Sequence, residues 1–214
     1  WLRMRKEPAE VAALRAAARA IDAVHAAVPT LLRPGRTEID ISRDISDRIL
    51  DEHDHVNFVI VAGGPNGASP HHEPGDRRLE PGDAVVVDIG GTRAGYCSDM
   101  TRNYTVGAAP SAYRELHDVL LAAQRAAVDA VRPGVAAESV DAAARELLAS
   151  AGLGEAFVHR TGHGIGVEEH EHPYIIGGNA QPLEAGMAFS IEPGVYVPNR
   201  YGARIEDIVG VTDD

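Results

Sequence analysis

Two similar stretches of this sequence each end an apolar run on a carboxylate. LEPGDAVVVD runs from Leu79 to Asp88 and LEAGMAFSIE from Leu183 to Glu192, with four identical residues in register at a spacing of 104. Carboxylates that meet in a buried site repel each other at neutral pH, and a bound cation removes that repulsion. If the two strands meet at a shared centre, the pattern indicates metal chemistry.

Each of these acids is followed by a second acid across a predicted turn. Asp99 lies eleven residues after Asp88, and Glu206 lies fourteen residues after Glu192. A turn between the members of each pair would place them on adjacent antiparallel strands, where they can face each other. The sequence thus predicts two hairpins that each present two carboxylates.

A histidine in a glycine-rich frame is the natural nitrogen donor for this set. His163 lies in TGHGIG, where the flanking glycines allow close approach of the backbone and leave the imidazole accessible. Four carboxylates and one imidazole form an oxygen-rich set. Such a set suits two divalent ions of the Mn, Fe, Co or Zn kind better than a single structural zinc.

Each of these residues alone also has an ordinary structural interpretation. A lone Asp after a strand usually caps a turn or a helix, and a lone His between glycines is usually a loop residue. Glu206 and Asp207 could be a solvated acidic pair. It is difficult to explain two hairpins with paired acids, together with a histidine between glycines, as ordinary surface residues. The joint arrangement therefore favours the metal site.

The elements that must position these side chains form a repeated pattern. Each half is predicted to contain a helix, an Arg-Pro-Gly stop, a second helix, a His-rich loop and a strand that ends on an acid. A chance match in an Ala- and Gly-rich sequence is the alternative, but three kinds of match in the same order favour a duplication. Two halves whose strands form one sheet, covered on one side by helices, make an α+β fold. Helices are predicted over 9–28, 38–52, 111–131 and 137–151, and strands over 56–64, 84–91, 96–106, 188–197 and 203–212.

Composition limits the classes of function. The chain has 214 residues, enough for one large domain, and its net charge of −12 makes nucleic acid and anionic membranes poor partners. No apolar stretch is long enough to span a membrane, and the first ten residues lack the apolar core of a signal peptide. The single cysteine, Cys97, excludes an internal disulfide and is typical of a reducing compartment, so we expect a cytoplasmic protein.

Four segments resemble the pita-bread metallopeptidases, a family that includes methionine aminopeptidase, aminopeptidase P and prolidase. The segments are VVVDIGGTRAGYCSDMTRNYTVG, TGHGIGVEEHEHP, SIEPGVYV and ARIEDIV. The resemblance covers the chain from the first helix to Val211. It implies an α+β pita-bread fold of two pseudo-symmetric halves, with a curved, largely antiparallel sheet covered by helices.

The resemblance also implies a ligand role for each matching residue. Asp88 would bind one metal ion, and His163 and Glu192 would bind a second. Asp99 and Glu206 would bridge the two. The implied cofactors are two divalent metal ions, with Mn expected and Co, Zn or Fe as alternatives.

Further implied roles concern the substrate and the transfer of a proton. Glu192 would carry a proton from water to the leaving nitrogen, and His170 would donate to the carbonyl oxygen. His71 in SPHHEP matches the substrate-side histidine of the first half, as His170 matches that of the second. A pocket of His71, His159 and Arg204 could orient a proline peptide. Arg204 would either hold a C-terminal carboxylate or pair with a metal-binding acid.

Residues near the last two ligand motifs place the resemblance closest to the Xaa-Pro branch. Arg204 precedes Glu206 by two residues and Asp207 follows it, as in the proline-specific peptidases. Methionine aminopeptidases commonly have a His after this Glu. His159, four residues before His163, is another feature of the Xaa-Pro branch.

The resemblance extends to domain organisation and partners. Residues 1–214 are expected to form the metallopeptidase catalytic domain, with residues 1–8 as the end of a linker from an absent N-terminal domain. The expected partner is a peptide substrate, with no nucleic acid and no membrane. A homodimer formed through the absent domain is left open.

The expected function is a dinuclear metal-dependent exopeptidase that hydrolyses the bond between an N-terminal residue and proline. Whether it acts as an Xaa-Pro dipeptidase or an Xaa-Pro aminopeptidase is left open. The alternatives are methionine aminopeptidase activity, a creatine-type hydrolase and a non-catalytic pita-bread binding module. Because all five ligand positions are present, the sequence argues against a module that only binds.

Overall fold

Two helix pairs, each followed by antiparallel strands, succeed each other in this computed structural model, which describes residues 2–213. The first half contains α1 (Pro8–Ala27), α2 (Glu38–Leu50), β1 (His55–Gly63), β2 (Ala84–Arg93) and β3 (Tyr96–Thr105). The second half contains α3 (Ser111–Ala130), α4 (Ala137–Ser150), β4 (Gly162–Gly164), β5 (Glu171–Ile175), β6 (Ala188–Ile191), β7 (Gly194–Val197), β8 (Tyr201–Arg204) and β9 (Asp207–Gly210). The predicted domain and linker include Trp1 and Asp214, which lie outside the described residues.

The helices form where the sequence provides a cap and an apolar stripe. α1 begins at a proline, whose fixed φ and missing N–H suit the first helical position. The Thr37 side chain caps α2 by accepting a hydrogen bond from Asp40 N at 3.2 Å. Ile41, Ile45 and Ile49 recur every four residues along α2 and are fully buried, so this helix is held by its apolar face.

The two halves repeat the same hydrogen bond between a helix entry and a strand entry. Gly35 N donates to Leu79 O, and Gly134 N donates to Leu183 O, each at 2.8 Å. Both glycines have a positive φ, 84° and 85°, which residues with a side chain rarely adopt. The glycines are 99 residues apart and the leucines 104, so the structure contains the repeat predicted from the sequence.

The first sheet has the order β1-β2-β3 and is antiparallel throughout. Asp88 pairs with Thr101 and Gly90 pairs with Asp99. Side chains two residues apart on a strand share a face, so Asp88 and Asp99 lie diagonally on one face. The predicted first hairpin is therefore present and presents both carboxylates together.

The second half forms a four-stranded sheet, β5-β4-β6-β9, and a two-stranded sheet, β7-β8. The β6–β9 and β7–β8 ladders share one register, which stops at Ile191 and resumes at Gly194. The same register places Glu192 opposite Glu206 in the gap between the two ladders. The predicted second hairpin is therefore also present, with its two acids at an interruption of the strands.

Two segments differ from the sequence prediction. The strand predicted over 188–197 is two strands, because Pro193 follows Glu192 and has no N–H to continue a ladder. The His- and Gly-rich segment predicted as loop contains β4 and β5. Its glycines concealed a strand: at Gly162 a Cβ would clash with Ser190 O, so only glycine allows β4 to approach β6 this closely.

Two large apolar clusters join the helices to the sheets. One packs α1 and α2 against the first sheet and includes Ile45 and Val87. The other packs α3 and α4 against the second-half strands and includes Leu120 and Phe189. Among residues 2–213, no helix combines the length and apolarity that crossing a membrane requires.

Candidate metal centre

One cavity of about 840 Å³ contains in its lining every residue that the sequence nominated for the site. Five of them are the predicted metal ligands and four are the predicted substrate contacts. They come from segments that are far apart in the chain, and the three sheets and the loops between their strands bring them together. The nine residues are Asp88, Asp99, His163, Glu192 and Glu206, and His71, His159, His170 and Arg204.

His163 on β4 is held so that one ring nitrogen faces the carboxylates. Its Nδ1 lies 3.1 Å from Gly164 O, and because a carbonyl oxygen only accepts, this contact assigns the hydrogen to Nδ1. Its Nε2 lies 3.2 Å from Glu192 Oε1 and 3.5 Å from Asp99 Oδ2. A lone pair on Nε2 that faces two carboxylate oxygens requires a proton or a metal ion to relieve the repulsion.

Two hydroxyl side chains orient the glutamates, and the sequence analysis missed both. Ser190 Oγ donates to Glu192 Oε1 and accepts from His163 N, each at 3.0 Å. Thr101 Oγ1 donates to Glu206 Oε2 at 2.7 Å. Each hydroxyl lies two residues from a predicted ligand in the sequence, so the period of a strand was a signal that could have found them.

Burial and crowding change the protonation of these acids. The pKa of Asp99 is raised well above its usual value, first by burial and then by the neighbouring carboxylates, Glu206 foremost. Burial, and then the charge of Glu192, likewise raises the pKa of Glu206. The pKa of Glu192 is lowered: burial opposes this change, but the hydrogen bond and charge of His163, with nearby cations, outweigh it.

The donor atoms fit a divalent cation. Asp88 Oδ1 is buried and has no hydrogen-bond partner among residues 2–213, which is unfavourable for a carboxylate oxygen unless something binds it. Asp99, His163 and Glu206 each offer one ligand atom, and these atoms lie within 4.8 Å of one another. Three buried carboxylates and one imidazole form the oxygen-rich donor set that ions such as Mn, Fe, Co and Zn accept.

His170 and His71 approach the cavity from the two halves of the chain. The His170 ring lies perpendicular to that of His163, with 4.2 Å between centroids. His170 is exposed on one side and partly buried on the other, and this partial burial first, and then the charge of His163, lowers its pKa to about 4. His71 is exposed at the lining, next to Pro70, whose carbonyl accepts from Arg204 Nη1 at 3.3 Å.

The guanidinium of Arg204 is buried among partners. Its Nη2 lies 2.6 Å from Asp88 Oδ2, its Nε donates to Thr101 Oγ1 at 3.1 Å, and its Nη1 donates to Tyr196 Oη at 2.7 Å. Tyr196 Oη in turn lies 2.8 Å from His159 Nε2. Of the two roles predicted for Arg204, this geometry favours the ion pair with Asp88 over the capture of a substrate carboxylate.

Sequence analysis also missed Tyr196 and Arg160. Tyr196 links His159 to Arg204. It lies in SIEPGVYV on the same strand face as Gly194, and nothing in that segment predicted a polar partner for its hydroxyl. Arg160 lines the cavity three residues before the predicted ligand in HRTGHG. Its Cζ lies 4.9 Å from the centroid of the Tyr174 ring.

The known proteins that this chain resembles are peptidases. A model of metallopeptidase family M24 matches residues 12–213. A probable dipeptidase, PepE, from Mycobacterium tuberculosis is 60% identical over 215 residues, which cover 100% of this chain and 57% of the relative. An Xaa-Pro dipeptidase from Lactobacillus helveticus is 40% identical over 216 residues, which cover 100% of this chain and 59% of the relative.

A solved structure matches the fold closely. The crystal structure of dipeptidase PepE from Mycobacterium ulcerans superimposes with a TM-score of 0.98 at 61% identity. The match covers 100% of this chain and 58% of that one. This chain therefore spans somewhat more than half the length of the relatives it matches.

Proposed function

The chain belongs to metallopeptidase family M24, and from this premise we propose that it carries the catalytic site of a dinuclear exopeptidase that hydrolyses the bond between an N-terminal residue and proline. The family assignment and the pita-bread fold expected from the sequence are confirmed. The substrate class is supported by an Xaa-Pro dipeptidase among the relatives. Because this chain spans somewhat more than half the length of its relatives, the activity is proposed for the full-length protein.

The observation that carries the proposal is the convergence of four carboxylates and one imidazole on a single cavity. Asp88 would hold one divalent ion, His163 and Glu192 the other, and Asp99 and Glu206 would bridge them. Mn is the expected ion, with Co, Zn or Fe as alternatives. When bound, such ions lower the pKa of water towards neutrality and polarise a peptide carbonyl.

Glu192 and His170 supply the proton-handling groups. The Glu192 carboxylate, whose Oε1 lies 3.2 Å from His163 Nε2, would take a proton from the attacking water and pass it to the leaving nitrogen. Ser190 holds the same carboxylate in place. His170, whose pKa of about 4 leaves it neutral, can donate an N–H to the carbonyl oxygen as negative charge develops there.

A third arginine in the cavity lining is suited to binding the C-terminus of a short peptide. Arg145 pairs with Asp141 at 2.9 Å and Arg204 pairs with Asp88 at 2.6 Å. Arg160, the third arginine of the lining, forms no ion pair within residues 2–213. A guanidinium binds a carboxylate through two parallel hydrogen bonds, so we expect Arg160 to hold the C-terminal carboxylate of a dipeptide.

The apolar part of the lining suits proline. The nitrogen of an Xaa-Pro bond carries no hydrogen, so the proline side of the substrate offers apolar ring surface rather than a donor. A cavity of about 840 Å³ is also within the usual size of small-molecule sites. The apolar residues of the lining are Phe58, Ile60, Pro70, Phe157, Val158 and Ile176.

A substrate panel with the full-length protein tests the proposal. The protein loaded with Mn should release the N-terminal residue from Xaa-Pro dipeptides, and Asp99→Ala or Glu206→Ala should abolish that activity together with binding of the second ion. Longer Xaa-Pro peptides distinguish a dipeptidase from an aminopeptidase. Cleavage of only a Met-initiated peptide without proline would transfer the protein to the methionine-specific branch. A protein that purifies without metal and stays inert with added Mn or Co would be a binding module.

A further inference from the structure

We infer that Lys6 and Glu171 form a positioning pair that holds His170 at the cavity, an inference that rests on the proposed function of the site. Lys6 Nζ lies 3.2 Å from Glu171 Oε2, and the two side chains are 1% and 6% exposed. Lysine is rarely buried unless its charge is paired. A fully enclosed pair between the start of the chain and the residue next to His170 therefore requires an explanation.

The carboxylate of Glu171 lies inside the turn that carries His170. Its Oε1 accepts from Glu168 N at 3.2 Å, and Gly166 N donates to Glu168 O at 3.1 Å. A Cβ at Gly166 would come within 2.9 Å of both Glu171 oxygens, so the carboxylate fills the space beneath this turn. Because His170 directly precedes Glu171, the turn fixed by this carboxylate also fixes the backbone of His170.

Lys6 is itself anchored to the strand that leads to the predicted ligand Glu192. Lys6 N donates to Gly186 O at 2.7 Å, and Arg5 forms a β-bridge with Met187, directly before β6. The ammonium group thus connects two parts of the site: the strand that carries Glu192 and the turn that carries His170. The contact between Lys6 and Glu171 therefore sets the distance between those parts, although neither residue lines the cavity.

Breaking this pair should affect His170 more than the metal ligands. Removal of Lys6 leaves the buried Glu171 carboxylate with only the exposed Arg3, whose Nη1 lies 4.0 Å from Glu171 Oε1. The segment that carries Glu171 must then shift towards water or a proton. The predicted ligands are oriented by other groups, among them Ser190, Thr101 and Gly164 O. The expected loss is therefore in the chemical step and not in metal content.

A double-mutant cycle with His170 tests the inference. In the metal-loaded full-length protein, Lys6→Met should lower kcat on an Xaa-Pro dipeptide on the order of tenfold with a smaller change in KM, since small misplacements of a reacting group reduce rates strongly. Lys6→Arg should restore most of kcat. In a His170→Ala background, Lys6→Met should lower kcat no further, because two changes that act through one group are not additive. An equal loss in both backgrounds would overturn the inference.

Arg5 supplies the matched control. It is the neighbour of Lys6 in the sequence, and its Nη1 lies 3.2 Å from Glu184 Oε2, but these side chains are 64% and 43% exposed. Exposed pairs contribute little, so Arg5→Met should leave kcat unchanged. A loss of kcat in Arg5→Met equal to that in Lys6→Met would assign the effect to general charge removal and contradict a specific role for the buried pair.

Two further measurements keep the inference testable if the first variant fails to fold or the protein cleaves no peptide. The double variant Lys6→Met/Glu171→Gln removes both charges and leaves no buried ion unpaired, so it should fold and should still show the kcat loss. Amide hydrogen exchange over residues 166–171 needs no substrate: Lys6→Met should lose protection there and Arg5→Met should not. Unchanged protection would overturn the inference, whereas a wild-type protein inert on all peptides would contradict only the proposed function.

Discussion

Asp88 and Arg204 form a buried ion pair in the cavity wall, with 2.6 Å between Oδ2 and Nη2, while Asp88 Oδ1 has no partner among the described residues. One oxygen of this carboxylate is thus neutralised by the protein itself. We propose that the other oxygen binds a cation. On this proposal Arg204 should stabilise the site most when no metal is bound, and metal ions should take over part of its effect.

The first prediction concerns Arg204→Met. In metal-free protein the substitution leaves Asp88 buried and unpaired, so it should lower the free energy of unfolding by about 3–5 kcal/mol, the usual consequence of breaking a buried pair. In metal-loaded protein the loss should be clearly smaller, because a bound cation compensates Asp88. Denaturant unfolding with chelator and with Mn measures both values.

An exposed ion pair provides the control for this experiment. Arg43 Nη1 lies 3.4 Å from Asp40 Oδ1, and the two side chains are 70% and 51% exposed. Arg43→Met should change the free energy of unfolding by less than about 1 kcal/mol with or without metal. Equal losses for Arg204→Met in the two metal states would show that Asp88 receives no compensation from a cation.

The second prediction concerns Glu206→Gln, which removes a charge and keeps the acceptor for Thr101. Burial and neighbouring acids raise the pKa of Glu206, so the folded metal-free protein binds a proton more tightly than the unfolded chain. The contribution of Glu206 to stability is therefore fully present below its unfolded pKa of about 4.5 and is lost as pH rises through the raised value. Glu206→Gln should flatten this fall in metal-free protein and should also reduce the metal content.

Unfolding from pH 4 to pH 8 in chelator, together with metal analysis, tests the second prediction. Glu80→Gln is a suitable control, because Glu80 is an exposed acid that does not line the cavity. Retention of two ions per chain in Glu206→Gln would contradict the bridging role. A pH profile identical to that of the wild type would contradict the crowding of the carboxylates.

The positions of the predicted ligands could be read from the sequence because they depend on local pattern. Asp88 and Asp99 lie on one hairpin, so strand period and turn length were sufficient to place them on one face. Glu192 and Glu206 followed from the repeat of that hairpin. The helices were predictable for the same reason, since α2 contains its cap and its isoleucine stripe within fourteen consecutive residues, 37–50.

Features that depend on contacts between distant segments could not be predicted. The partner of Arg204 is Asp88, 116 residues away, and only the closed fold distinguishes this pair from a substrate contact. β4 was hidden because its glycines have low strand propensity and are required by the close approach of Ser190. The enclosure of Lys6 by Glu171 likewise depends on two segments 165 residues apart.

The third prediction concerns the role proposed for Arg160. Arg160→Met should lower kcat/KM on an Xaa-Pro dipeptide about 10- to 100-fold, the usual range for loss of a charge-assisted contact to a carboxylate. The C-terminal amide of the same dipeptide lacks the carboxylate, so its kcat/KM should change little. Arg160→Lys retains the charge but loses the planar guanidinium, so its kcat/KM on the dipeptide should lie between the values for the wild type and Arg160→Met.

Steady-state kinetics on the acid and amide pair measure the effect. Arg43→Met again serves as the exposed control and should leave the ratio of the two substrates unchanged. An equal loss on both substrates would mean that Arg160 does not recognise the C-terminus. No loss on either would remove Arg160 from the substrate site altogether.

The fourth prediction concerns the pH dependence of folding and the buried His25, far from the proposed chemistry. Burial lowers the pKa of His25 from 6.5 to about 4, and the ring nitrogens lie 2.9 Å from Tyr104 Oη and 3.0 Å from Met100 O. Between about pH 4 and pH 6.5 His25 therefore binds a proton in the unfolded chain but not in the folded protein, so its contribution to stability is full above pH 6.5 and falls as pH decreases through this window. The linked loss is on the order of 3 kcal/mol.

His25→Gln should remove that part of the slope, although the variant starts from a lower stability at pH 7 because it loses packing and one hydrogen bond. Unfolding free energies at several pH values between 4 and 7 give the slope for each protein. His55→Gln is the control, since His55 is exposed at the start of β1 and should keep the wild-type slope. A slope in His25→Gln as steep as that of the wild type would mean that His25 takes up a proton as readily in the folded protein as in the unfolded chain, and would contradict this prediction.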